Sequence, residues 1–223
     1  MFGIILTAGL LIFILWILFS HHKTTEKRAK AINMSFFSIK SIEGFAEELD
    51  LLAVFRGLHL KGWNRFLYGD PYLSLEKVIQ DGKEQYYIAL PKKYEEILEQ
   101  NPYVSKVEDN LPKDKHYAAI YLHRGNPSFK FGDLKLNESE GVVLQILARH
   151  LHGEKGLFES NVRVIGWADS KERARKILNL KKIKDRENRR LVFDFFSRIF
   201  EDNKRVRLSF KELKNFLINQ FGY

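Results

Sequence analysis

The sequence predicts an α+β protein in which an N-terminal transmembrane helix precedes ferredoxin-like antiparallel sheet, once or more than once, with helices on one face. Three observations predict it. No Lys, Arg, Asp or Glu occurs before Lys23, and all 37 basic and 28 acidic residues lie from there onward. Strand-like and helix-like periodicities then follow in the order β-α-β-β-α-β, in which two helices cover one face of an antiparallel sheet. A second set of alternating apolar segments comes after them. The 223 residues suit one ordinary domain or two small ones. A content of 45% hydrophobic and 29% charged residues excludes a wholly disordered chain and a polytopic membrane protein. Cysteine is absent, which removes a disulfide framework, a thiolate zinc site and a cysteine nucleophile.

The first element is the apolar run Phe2 to Phe19, placed within a transmembrane helix over residues 1–22. At about 1.5 Å per residue it is long enough to cross a hydrocarbon layer of about 30 Å. No basic segment precedes it and no A-x-A-like site follows, so an anchor is favoured over a cleaved signal peptide. Lys23, Lys27, Arg28 and Lys30 flank its far end within a basic juxtamembrane linker, residues 23–33. By the positive-inside rule the expectation is a single pass through the cell (inner) membrane, N-terminus outside and soluble domain cytoplasmic.

Residues 34–112 form the expected ferredoxin-like subdomain. Met34 to Lys40 reads as a strand, and Ile42, Phe45, Ala46, Leu49, Leu52 and Ala53 follow at helical spacing. Tyr72 to Ile79 and Tyr86 to Leu90 flank Asp81-Gly82, a tight-turn signal, and so predict a hairpin. Pro91 stops the second strand. A short helix over Lys92 to Gln100 would place Tyr94, Ile97 and Leu98 on one side, with Val104 to Val107 as the fourth strand.

Residues 113–223 form the second α+β subdomain with a helical C-terminus. His116 to His123, Glu140 to Leu151 and Asn161 to Trp167 read as strands, although Glu138 to His152 could equally be helical. Asp169 with Glu172 resembles a capping pair opening a helix whose inner stripe is Ala174, Ile177 and Leu178. Val192, Phe195, Phe196 and Ile199 return to that phase, but Leu180 and Ile183 do not, so the helix breaks or kinks between them. Ser209 and Glu212 have capping-box spacing before a last helix over Phe210 to Phe221.

The search for chemistry returns little that is catalytic. No phosphate-cradling P-loop, zincin or nucleophile-elbow motif occurs. His150 and His152 would share a face in a strand, but no third ligand accompanies them, so no metal or cofactor is expected. The pairs Glu47-Glu48 and Glu95-Glu96 read as wet helix faces. Charge is more informative. Lys171 to Arg190 holds ten cations against Glu172, Asp185 and Glu187. Lys181, Lys182, Lys184, Arg186, Arg189 and Arg190 coincide with the expected helix break, where exposure would let them contact nucleic-acid backbone, acidic lipid or an acidic protein. No aromatic residue interleaves the run, so a stacking platform for single strands is not indicated.

The charge-free leading helix, Tyr72-Leu-Ser-Leu-Glu76, Tyr86 to Tyr94, Gly156 to Ile165 with Glu172-Arg-Ala174, and Leu208 to Leu213 together resemble a known region. It is the membrane-anchored segment preceding HerA/FtsK-like ATPases of conjugative, type IV secretion-like systems, frequent in small-genome bacteria. In those proteins an ATPase follows. The chain ends at Tyr223 and does not match their His/Pro-containing junction after Leu213, so ATP hydrolysis is not expected of it. The resemblance implies a non-enzymatic scaffold that docks a separately encoded ATPase of that kind on the lipid bilayer, with homo-oligomers compatible. The alternative is a membrane-tethered protein that binds DNA non-specifically through residues 171–190. An unrecognised enzyme is the third class.

Overall fold

The computed structural model describes residues 9–18, 33–40, 54, 58, 70–109, 111–112, 114–122, 136–151, 154, 156–179, 185–209 and 211–213. Its centre is one antiparallel sheet. The strands are β1 (Met34–Ile39), β2 (Leu73–Gln80), β3 (Lys83–Pro91), β4 (Val104–Val107), β5 (His116–Leu122), β6 (Gly141–His150), β7 (Leu157–Ala168) and β8 (Val206–Ser209). They lie in the order β4-β1-β3-β2-β6-β7-β5, with β8 paired to the start of β7. Among the described residues the α-helical runs of four or more are α1 (residues 9–18), α2 (Glu96–Glu99), α3 (Lys171–Ile177) and α4 (Asp185–Phe196).

Local chemistry explains the hairpin. Asp81 and Gly82 have φ of 52° and 67°, so β2 and β3 are joined by a two-residue turn with both central residues in the left-handed region. Strand β6 is settled as a strand because its apolar run is buried on both faces, Val142, Leu144 and Ile146 against one layer and Val143 and Leu147 against the other. Gly141 on β6 faces Trp167 of β7 in register, and a Cβ there would overlap the indole ring.

The ferredoxin-like expectation is corrected by the pairing of β2. In a self-contained β-α-β-β-α-β sheet β2 would be an edge; here it bonds β3 on one side and, from Leu73 to Gln80, β6 on the other. All residues from Leu73 to Val78 are buried, so an edge position would leave apolar surface and backbone groups unpartnered. Strands from both halves of the chain therefore share one eight-stranded sheet.

The placement of helices on one face is likewise corrected. Leu98 of α2 and Ala174 and Ile177 of α3 join the core on one face, whereas Phe195 of α4 packs with Val143, Ile165 and Trp167 on the other. Both α3 and α4 lie beside β5, the edge strand, so the two faces are reached without crossing the sheet. The apolar stripes share a helical phase, as the periodicity indicates, yet they bury against opposite faces.

The expected transmembrane helix is not supported: among the described residues no helix is long and apolar enough to cross a membrane. The described stretch of α1, residues 9–18, reaches about 15 Å, about half of what a span needs. The helix of residues 42–53, the linker cations Lys23, Lys27, Arg28 and Lys30, and most of the last helix lie outside the described residues. Three finer points differ. Ile97 is exposed while Leu98 is buried. The N-cap of α3 is Ser170, whose Oγ accepts from Arg173 N at 3.2 Å, and Asp169 instead takes Lys115 and Ser139. The strand β8 has no counterpart in the sequence reading, and it runs straight into the expected capping box, where Glu212 accepts from Ser209 N at 2.7 Å.

The α4 face of the sheet carries buried charge. Glu76 (β2), Gln145 (β6), Arg163 (β7) and Tyr121 (β5) stand side by side in register across four strands. Arg198 closes over Glu76 just beyond α4. It occupies a left-handed position, φ 48°, where Arg198 N bonds Phe195 O and Ile199 N bonds Asp194 O, a Schellman-type helix end. Its guanidinium donates to both Glu76 oxygens, at 2.7 and 3.1 Å, and to Asp109 at 3.0 Å, and lies 4.0 Å from the Phe36 ring. Burial alone would raise the Glu76 carboxyl, but Arg198, with hydrogen bonds from Ser74 and Gln145, more than offsets it and holds the group below the usual range.

Candidate functional site

A cleft of about 310 Å³ opens where α3, α4 and the start of β5 meet. Each wall follows from local sequence. Capped by Ser170, α3 buries Ala174 and Ile177, which leaves Lys171 and Arg175, four residues apart, on one flank facing the cleft. On α4, Phe195 points to the sheet, and Asn188, Arg189 and Val192 line the opposite wall. The β5–β7 register sets His116 against Ala168, which brings Lys115 and His116 next to the entry of α3.

Asn188 fixes the geometry. Its Oδ1 accepts from Ala119 N at 3.0 Å and its Nδ2 donates to Tyr117 O at 2.8 Å. The amide thus pairs the outward edge of β5 as a neighbouring strand would, and seats α4 there. Tyr117 forms part of the floor. Its ring packs edge-on against Phe196 at 5.0 Å, its hydroxyl donates to Pro112 O, and burial pushes the phenol up to about 12.

The electrostatics are one-sided. Among the described residues Lys115, Lys171, Arg175 and Arg189 line the cleft together with His116, and no carboxylate does. Lys115 is tethered at the rim to Asp169 at 2.6 Å, a hydrogen bond that holds the ammonium above and the carboxyl below its ordinary range. Neither Lys171 nor Arg189 pairs with a carboxylate among the described residues. A second hollow of about 80 Å³ lies by the buried Glu76–Arg198 pair and has the opposite character, with Glu108 and Asp109 at its rim.

Of the basic residues singled out from sequence, Arg186, Arg189 and Arg190 are exposed on α4, and of these Arg189 enters the cleft. Arg190 instead lies 3.7 Å from Asp194 and 3.6 Å from Glu201. Lys181, Lys182 and Lys184 lie outside the described residues. His150 packs edge-on to Phe158 at 5.7 Å, His152 lies outside the described residues, and no metal-binding cluster occurs among those described. Sequence reasoning missed Lys115, His116, Tyr117 and Asn188 as cleft residues. The i, i+4 spacing of Lys171 and Arg175 was a usable signal; the β5 residues had none, since strand register brings them there.

The site stands on its geometry alone. Comparison of the chain with protein-family models, with curated proteins and with solved structures returns no match.

Proposed function

We propose that the protein is a non-enzymatic docking scaffold held at a lipid surface. The observation that carries this reading is α1: Leu10 through Leu18 are all large apolar residues, each 45–67% exposed, and they surround the helix. Water does not tolerate so continuous an apolar surface, and lipid is the solvent that suits one lacking any polar face. The sheet body supports the scaffold role, because both faces are covered and the elements beside β5 present a fixed, cationic surface. The resemblance to the segment preceding HerA/FtsK-like ATPases supports a separately encoded motor of that class as the docked partner.

Liposome flotation of the full-length chain tests it. The wild type is expected to rise with neutral and anionic vesicles, and Leu11→Lys/Leu15→Lys/Leu18→Lys to remain at the bottom, since three lysines break the continuous apolar surface that α1 would bury in lipid. Equal flotation of both proteins, or none by either, refutes the lipid reading. In-cell crosslinking that recovers no such motor refutes the partner.

A further inference from the structure

We propose that the cleft between α3 and α4 is a binding site for a compact ligand bearing a pyrophosphate or two closely spaced phosphates. It stands apart from lipid docking, because no cleft residue belongs to α1. The argument begins with charge. Among the described residues four permanent cations and no carboxylate line about 310 Å³; Lys115 leans on Asp169 at the rim, whereas Lys171 and Arg189, on facing walls, pair with no carboxylate among those residues and so favour an anion between them. The four cations come from separate elements, Lys171 and Arg175 from one wall, Arg189 from the other and Lys115 from the end, with Lys171 and Arg189 exposed to an entering ligand.

Shape selects among anions. The volume lies at the lower end of the range of small-molecule sites, about 300–1,000 Å³, so the cleft matches a ligand of limited size rather than a duplex lying across a face. Guanidinium groups bind phosphate oxygens with fixed, forked geometry and lysine adds a point charge; both kinds are present. Tyr117 and Val192 give the floor an apolar portion against which the organic part of such a ligand can rest. The cleft is also rigid where it must be. Asn188 locks α4 to the β5 backbone, and the Ser170 cap starts α3 at a fixed point, so little ordering is left for the ligand to pay for.

Titration calorimetry on the full chain in non-ionic detergent, with inorganic pyrophosphate as the probe, tests the site. The expected result is a single site with Kd below about 1 mM. Binding weakens at least about tenfold in Lys171→Glu and in Arg189→Glu, and is unchanged in Lys204→Glu, which makes the same charge change on the remote turn Asp202–Lys204. Thermal unfolding verifies that each variant is folded; should a reversal fail to fold, Lys171→Gln and Arg189→Gln carry the same expectation in milder form. Absence of binding at 1 mM probe refutes the proposal. So does an equal loss in Lys204→Glu, which would mark non-specific charge. Binding of a single-stranded oligonucleotide but not of pyrophosphate, lost in Lys171→Glu and Arg189→Glu, also overturns it and would give the cleft to a polymer. A failed titration with intact flotation removes this site and leaves the docking reading; the reverse removes docking and leaves the site.

Discussion

Replacing Arg198 by alanine is the sharpest test of how the two halves of the sheet are held under α4. The side chain is 2% exposed and Glu76 is 6% exposed, so the change strands a carboxylate in the interior. Glu76 would keep Ser74 at 2.7 Å and Gln145 at 2.9 Å, but its only remaining countercharge in that row would be Arg163, two strands away and not hydrogen-bonded to it. Breaking one partner of a buried pair costs about 3–5 kcal/mol. At about 2–4 °C per kcal/mol for a chain of this size, the melting temperature falls by about 6–20 °C. Arg198→Gly separates the pair from the backbone: it loses the same contacts but relieves the left-handed position, φ 48°, and so costs about 1 kcal/mol less than alanine. The assay is urea unfolding followed by far-ultraviolet circular dichroism, with Glu76→Gln and the double variant completing a thermodynamic cycle. The pH dependence has a definite sign. Because the Glu76 carboxyl sits below its ordinary range in the folded chain, its contribution is complete above the unfolded glutamate pKa and is lost as pH falls through the folded value. Glu76→Gln therefore flattens the acid limb of the stability curve. A cost below about 1 kcal/mol for Arg198→Ala, or an acid limb unchanged in Glu76→Gln, refutes the buried pair.

Two further substitutions probe single contacts. Gly141→Ala forces a methyl into the Trp167 indole, and is expected to cost about 1–3 kcal/mol and to alter the near-ultraviolet tryptophan signal; unchanged stability would show that β6 and β7 do not pack as described. Asn188→Leu leaves Ala119 N and Tyr117 O on the β5 edge without their partner, costing about 1–3 kcal/mol, and the Ala119 amide should lose hydrogen-exchange protection first; protection equal to that of the wild type would contradict the seating of α4.

Much of the secondary structure was legible because its signals are local. The Asp81-Gly82 turn, the alternating strands and the stripe of α3 each depend on residues within a few positions of one another. The apolar run of β6 left strand and helix open, since burial on both faces erases the alternation that separates them. The candidate site was half legible. The density of cations from Lys171 to Arg190 is visible in sequence, but which of them converge is not, because Arg189 enters the cleft while Arg190, its neighbour, turns toward Asp194 and Glu201.

By itself the sequence determined the confinement of charge to residues after His22, the hairpin, the interruption of the helical stripe after Leu178, and the excess of positive charge that follows Ser170. Tertiary structure alone decided that β2 is internal rather than an edge, that α3 and α4 lie on opposite faces, and that Lys115 and His116 join Lys171, Arg175 and Arg189. The reason is one of range. Periodicity and capping are set by neighbours along the chain, whereas strand order and register are set by which buried surfaces match across many intervening residues. An apolar strand such as β2 carries no mark of which second partner it will take.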